Sequence, residues 1–329
     1  MIISKTPLRA SFFGGGTDFS GYFKNSRYGY GETISTAINM YVYITVQKKF
    51  DDQIRVCYWK NEVVDNVDEL EHNIIREALK LVGISKGIEI FYTADLPLGS
   101  AGVGLASSSA IAVGALNALL AYKGIYSPPE KLASLACELE INKLAHPIGK
   151  QDQYAVAYGG FRRYRFYADD SVSAEPMLIS PEVQKALESS LMLFYTGVTR
   201  NSGPIMQEQS DSICDKMELF DSMVSDAEAA HQALCAGDIG FLGTALDRSW
   251  QKKKRFASGI SNPLIEDMYS AARAAGAEGG KILGAGGGGF LLLYVPKHRQ
   301  ADVKKALREY RQVDFRFEPS GSQIVFCNN

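Results

Sequence analysis

Three clusters of glycine stand beside residues able to bind oxyanions or polyols. Gly14, Gly15 and Gly16 precede Thr17 and Asp18. Gly99, Gly102 and Gly104, with Ser100 among them, precede Ser107, Ser108 and Ser109. Gly284 is followed by Gly286, Gly287, Gly288 and Gly289. Glycine lets backbone N–H groups approach a ligand with no Cβ in the way. In the middle cluster a strand pattern ends near Thr93, the loop follows, and the serines open an apolar helix. The free N–H groups of a helix's first turn, with the positive end of its dipole, make an anion site. Serine hydroxyls can add ligands for Mg2+ or for phosphate oxygens. Gly99, Ser100, Gly102, Gly104, Ser107, Ser108 and Ser109 are therefore the expected phosphate contacts, those of a nucleotide if the ligand is one. The plainer alternative is a capped buried helix with a flexible entry, and the joint run of Gly and Ser favours the cradle. Gly-x-x-x-x-Gly-Lys-[Ser/Thr] is absent, so this is not a Walker P-loop.

The third cluster formally matches Gly-x-Gly-x-x-Gly. It runs into Phe290-Leu291-Leu292-Leu293-Tyr294, a strand pattern, where a dinucleotide fold needs a helix. Close approach of backbone to a substrate, at Gly286 and Gly287, is the expectation that remains. After the first cluster, the Thr17 hydroxyl and Asp18 carboxylate suit hydrogen bonds to a polyol, with Gly15 and Gly16 beside them. An ordinary turn ending in an Asp cap is the alternative there.

These loops need a scaffold. Residues 1–13, 34–47, 55–58 and 88–92 are rich in β-branched and aromatic side chains and read as strands. The spacing of Leu70, Ile74, Ile75, Ala78, Leu79 and Val82 predicts a helix over 67–81. Residues 107–122 are small and apolar throughout and predict a buried helix. Another opens at Pro128-Pro129-Glu130 and runs to about Leu144. A strand is expected at 161–167, and a polar stretch over 168–188 marks a domain boundary, dividing the chain into 1–180 and 181–329. Beyond it come a strand at 191–195 and helices at 203–236, 238–256 and 263–275. Strands at 281–283 and 290–295, a helix at 297–310, and strands at 315–317 and 324–326 complete the chain. The mixture predicts an α+β fold in two lobes.

Composition narrows the function. Lys+Arg 35 against Asp+Glu 37 gives a net charge of −2, which argues against general nucleic-acid binding. Lys252-Lys253-Lys254-Arg255 reads as a solvated face, while Arg162, Arg163 and Arg165 remain open as an anion contact. No apolar run is long enough to span a membrane, and the N-terminal residues read as a strand rather than a signal peptide. The 5 cysteines are widely spaced with no Cys-x-x-Cys pair, and the 4 histidines are scattered. Both patterns fit a reducing cytoplasm and argue against zinc or a Ser-His-Asp triad.

The three clusters, in order along essentially the whole chain, resemble the GHMP small-molecule kinase superfamily. Thr6-Pro7-Leu8-Arg9 to Asp18 looks like the family's first motif, Pro97 to Ser109 its second, and Lys281 to Phe290 its third. Gly149-Lys150-Gln151-Asp152-Gln153-Tyr154 and Tyr195-Thr196-Gly197-Val198-Thr199-Arg200 are most similar to the D-glycero-D-manno-heptose 7-phosphate kinase branch. The second motif departs from the pattern, with extra residues at Ala101-Gly102-Val103 and Ala106 where the family usually has glycine.

The resemblance implies a ribosomal protein S5 domain 2-like N-terminal lobe and a ferredoxin-like C-terminal lobe. It implies ATP and Mg2+ as cofactors. It makes Asp152 the base and Arg9 the cation beside it that offsets charge on the moving phosphoryl group. Ser108 and Glu140 become the Mg2+ ligands. The implied reaction is phosphorylation of a sugar phosphate's anomeric hydroxyl in the cytoplasm, with D-glycero-D-manno-heptose 7-phosphate going to the 1,7-bisphosphate. Arg200 is then the leading contact for the existing phosphate, with Arg162 and Arg163 behind it. The expected partners are ATP and a sugar phosphate, with no nucleic acid or membrane; a homodimer is left open. The alternatives are another anomeric sugar kinase (fucose, galactose or a uronic acid) and a non-catalytic sugar-binding homologue.

Overall fold

The computed structural model describes residues 1–96, 104–199 and 202–328. Its strands are β1 (Ile2–Phe13), β2 (Tyr30–Lys48), β3 (Ile54–Cys57), β4 (Asn61–Val64), β5 (Ile88–Ala94), β6 (Phe161–Tyr167), β7 (Val172–Pro176), β8 (Leu191–Tyr195), β9 (Gly279–Ile282), β10 (Phe290–Tyr294), β11 (Arg311–Val313) and β12 (Gln323–Cys327). One sheet runs β12-β1-β2-β5-β3-β4, with β6 and β7 branching from β2. The 19-residue β2 is its spine: residues 30–36 pair with β6, residues 42–48 with β5, and β1 lies along the other edge. A second, four-stranded sheet runs β11-β8-β10-β9 and is antiparallel throughout.

The helix Ser107–Tyr122 packs on β1 and β2, and its buried residues run without a break from Ser109 to Leu119. That burial on all sides explains a sequence that is apolar with no polar stripe. The helix Met217–Cys235 lies against β2 and β1, while Phe241–Lys253 lies against β9 and also touches β1. The two sheets thus share one hydrophobic core.

A boundary at 180 falls between β7 and β8, but the chain does not end in its second lobe. After β11 it returns, pairing Phe317 with Ile38 and β12 with β1. Phe317 wedges beside Phe12 and Phe161, with ring centroids 6.1 and 5.3 Å away. Where a strand over 315–317 is expected, Phe317 alone forms an isolated bridge. The helix expected to reach Leu144 is α-helical over Pro129–Cys137 and continues as a π-helical turn over Glu138–Lys143. Such wide turns gather at functional sites. The region 203–236 is two helices, Gly203–Asp211 and Met217–Cys235, around a short 3-10 turn.

Candidate active site

Arg9 and Asp152 come from β1 and from the first turn of the helix Gln151–Tyr158. They meet as a fork: Arg9 Nε donates to Asp152 Oδ1 and Nη2 to Oδ2, each at 2.8 Å. Arg9 Nη1 donates to the Gly104 carbonyl at 2.8 Å, so the same guanidinium ties the second glycine cluster to the pair. The Arg9 side chain is 2% exposed and that of Asp152 29%. The cation is sealed in while the carboxylate still faces open space.

That space is a junction. A cavity of about 340 Å3 is lined by Gly104, Ala106, Ser107, Ser108, Ser109, His146, Gly284, Gly286 and Gly288. A smaller one, about 70 Å3, is lined by Gly15, Gly16, Asp18, Gln151, Gln209 and Lys253. Arg9, Asp152, Ile148, Met206, Gly284 and Ala285 line both. Two glycine clusters also press on each other here. A Cβ on Gly284 would lie 2.5 Å from Gly104 Cα, and one on Gly104 would lie 2.4 Å from the Leu283 carbonyl oxygen. No real Cβ approaches that closely, and both residues have positive φ. Glycine is required where the backbones of the two lobes touch. Ala106, just before the serine helix, also has positive φ at 64°. The left-handed conformation costs a non-glycine residue about 1 kcal/mol or more, so the departure from glycine there carries strain.

Among the expected nucleotide contacts, Gly104 and all three serines line the larger cavity, and Gly99, Ser100 and Gly102 lie outside the described residues. Glu140 is fully buried on the π-helical turn. Its Oε2 accepts from Ser109 Oγ and from Gln153 Nε2, both at 2.7 Å. Its Oε1 is buried with no hydrogen-bond partner among the described residues. Burial pushes the Glu140 carboxyl up, and the Ser109, Ser108 and Gln153 side chains pull it back. A buried carboxylate oxygen without a donor, near the serine hydroxyls that line the larger cavity, fits a hard cation.

The acceptor side departs from expectation in three places. Thr17 is fully buried and spent on backbone: its hydroxyl lies 2.8 Å from the Gly14 and Glu32 carbonyls and accepts from the Glu32 N–H. It latches the loop to β2 and does not line the cavity. Gly287 donates to the Ile260 carbonyl at 2.8 Å and its own carbonyl accepts from Asn262, so it too turns away. Gly286 lines the serine-bearing cavity rather than the acceptor side. Gly15, Gly16 and Asp18 line the smaller cavity. Asp18 accepts from the backbone N–H groups of Gly16 and Gln151 at 2.9 and 3.1 Å. Burial raises its carboxyl pKa, opposed first by the Gln151 bond.

Arg200 lies outside the described residues. Arg163 and Arg165 are bound to the buried Glu32 at 2.8 and 2.9 Å, and Arg162 donates to the Gly159 and Ala174 carbonyls. None of the three lines either cavity. Lys253 does line the smaller cavity, although the sequence pointed to a solvated face. Three successive lysines leave the helix end in three directions. Lys252 pairs with Asp226, Lys254 with Glu266, and Lys253 turns inward, 5% exposed, donating to the Gly284 carbonyl. Burial pushes its amine down to about 8, with Arg9 adding to the shift and Asp152 and Asp18 opposing it. Lys281, donating to the Phe12 carbonyl at 3.1 Å, is also buried and held well below the usual range, by burial and then by Lys253 and Arg9.

The GHMP kinases N terminal domain matches residues 71–160, and the GHMP kinases C terminal matches residues 230–312. The chain is 31% identical to the D-glycero-alpha-D-manno-heptose 7-phosphate kinase of Campylobacter jejuni subsp. jejuni serotype O:2, over 97% of each chain. It is 26% identical to a galactokinase of Pyrococcus furiosus, over 94% of this chain and 93% of that one. A crystal structure of a D-glycero-D-manno-heptose 1-phosphate kinase from Bacteriodes thetaiotaomicron superposes with a TM-score of 0.81 at 26% identity, covering 100% of both chains. With both halves matched and a relative similar along nearly its whole length, the chain belongs to the GHMP kinases.

Proposed function

We propose that this kinase transfers the γ-phosphoryl group of ATP to the anomeric hydroxyl of a sugar phosphate, with D-glycero-D-manno-heptose 7-phosphate going to the 1,7-bisphosphate. The observation that carries the reading is the position of the Arg9–Asp152 pair, at the junction of a serine-lined cavity and an acceptor cavity holding Asp18. The heptose comes from the relatives whose names specify heptose phosphates.

The serine cavity orients the phosphates with the N–H groups of the helix start and with the hydroxyls of Ser107, Ser108 and Ser109. Asp18 and the Gly15–Gly16 backbone hold the sugar. The anomeric oxygen attacks the γ-phosphorus, the bond to the bridging oxygen of ADP breaks, and the hydroxyl proton passes to Asp152. Arg9 holds both Asp152 oxygens in place for that transfer. Glu140, through its unpartnered Oε1, and Ser108 would hold Mg2+, which would offset charge on the phosphates.

The sugar's own phosphate needs cations. Within the described residues Lys24 and Lys150 converge on Asp170 at 2.6 and 2.8 Å. They line a neighbouring cavity that shares Asp18 and Ile148 with the acceptor site. The test is ATP consumption with Mg2+ across phosphorylated and free sugars. Faster turnover of free fucose, galactose or glucuronate than of the heptose phosphate would overturn the assignment.

A further inference from the structure

Phosphoryl transfer needs a cation on the moving group, and Arg9 is badly placed to supply it. Its Nε, Nη1 and Nη2 each donate one hydrogen bond, two to Asp152 and one to the Gly104 carbonyl, so three of its five N–H donors are spent. Its guanidinium is locked against a carboxylate that already neutralises it. Lys253 is in the opposite state. Its one hydrogen bond among the described residues goes to a neutral carbonyl, that of Gly284, which lines both cavities. An ammonium carries three donors, so two are left over. No carboxylate lies within ion-pair distance of it among the described residues, although it is 5% exposed. A buried cation without an ion-pair partner is expensive and is kept where a negative charge arrives. The smaller cavity that Lys253 lines also presents Arg9, Asp152 and Asp18, and of these Arg9 is already matched by Asp152.

We propose that Lys253 is a catalytic residue of the transfer step, its ammonium binding the non-bridging oxygens of the phosphoryl group as that group passes between the two cavities at Gly284, while Arg9 serves Asp152. The inference rests on the phosphoryl-transfer reading but not on which sugar is the acceptor. As the γ-phosphorus leaves ADP and bonds to the acceptor oxygen, its oxygens turn from the serine cavity towards Lys253. The ammonium gives up no proton in the step and supplies charge alone.

The test compares the wild type with Lys253→Met and Lys253→Arg. With the best acceptor from the sugar panel, Lys253→Met should lower kcat by about 10²-fold or more, as loss of one preorganised donor does. The acceptor KM should change by less than about threefold, and Lys253→Arg should recover part of the rate. A second readout needs no acceptor: binding of ADP with aluminium fluoride, a mimic of the phosphoryl group in flight. Lys253→Met should bind ADP alone as the wild type does, which also establishes that it is folded, and should lose at least about tenfold of the gain that aluminium fluoride gives the wild type. The proposal is overturned by a kcat within threefold of wild type, by a loss confined to the acceptor KM, or by an aluminium fluoride gain that is unchanged in the variant or absent in the wild type. Failure of every sugar phosphate in the panel would remove the acceptor assignment and leave the nucleotide result to decide the role of Lys253.

Discussion

Replacing Lys253 with methionine should make the protein more stable while it loses activity. The side chain is 5% exposed, and its amine sits at about 8 against 10.5 for a free lysine. At 1.36 kcal/mol per pH unit, holding it charged in the folded protein costs about 3 kcal/mol near pH 7. Methionine keeps most of the volume and removes the charge. It also strands the Gly284 carbonyl that Lys253 Nζ now satisfies, a loss of about 1 kcal/mol. The net gain expected at pH 7 is about 2 kcal/mol.

The sign can be followed with pH. Between about 8 and 10.5 the folded lysine binds fewer protons than the unfolded one, so wild-type stability rises with pH through that window. Methionine has no such term, so its net advantage should be full below pH 8 and fade to about zero by pH 10. Urea unfolding of both proteins at pH 7 and pH 10 measures this directly. A variant less stable than wild type at pH 7, by an amount that does not change at pH 10, would refute a buried charged amine at this site.

Other substitutions probe other parts of the site. Asp152→Asn should lower kcat by about 10²-fold or more while ATP affinity holds, because the amide oxygen still accepts from Arg9; steady-state kinetics with nucleotide binding checks both. Gly284→Ala forces a Cβ to 2.5 Å from Gly104 Cα at a φ of +70°, so about 1–3 kcal/mol of stability and most of the ATP turnover should be lost, as thermal melts and kcat/KM for ATP would show. Glu140→Gln should raise the Mg2+ concentration needed for half-maximal rate by at least about tenfold. Without Mg2+ the same variant should melt higher than wild type above the ordinary glutamate range, because burial raises the folded Glu140 carboxyl and its ionised form is a liability there. That difference should vanish near pH 4, where the carboxyl is protonated in both states.

Much of the site was legible because its chemistry is local in sequence. Gly104 with Ser107–Ser109, Arg9 on a strand, and Asp152 opening a helix each carry their setting in their neighbours. Lys253 was not legible. Lys252-Lys253-Lys254-Arg255 reads as a charged surface, and only the phase of the helix, at about 100° per residue, sends the middle lysine inward. Thr17 failed for a related reason. A hydroxyl after glycines suits a sugar or a backbone carbonyl equally well, and the choice is made by Glu32, 15 residues on. The orphan oxygen of Glu140 depends on a π-helical turn that no simple periodicity announces. The return of β12 to β1 depends on a distant pairing, so a cut at residue 180 follows the polar linker and misses the C-terminal strand.

The most direct test of the phosphoryl-transfer reading is the phosphorus NMR spectrum of a reaction with ATP, Mg2+ and D-glycero-D-manno-heptose 7-phosphate. The expected result is loss of the ATP γ-signal with growth of an anomeric phosphate on a sugar that keeps its 7-phosphate. An ATP spectrum that stays unchanged with this sugar while a free sugar is phosphorylated, or that stays unchanged with every sugar offered, would contradict it.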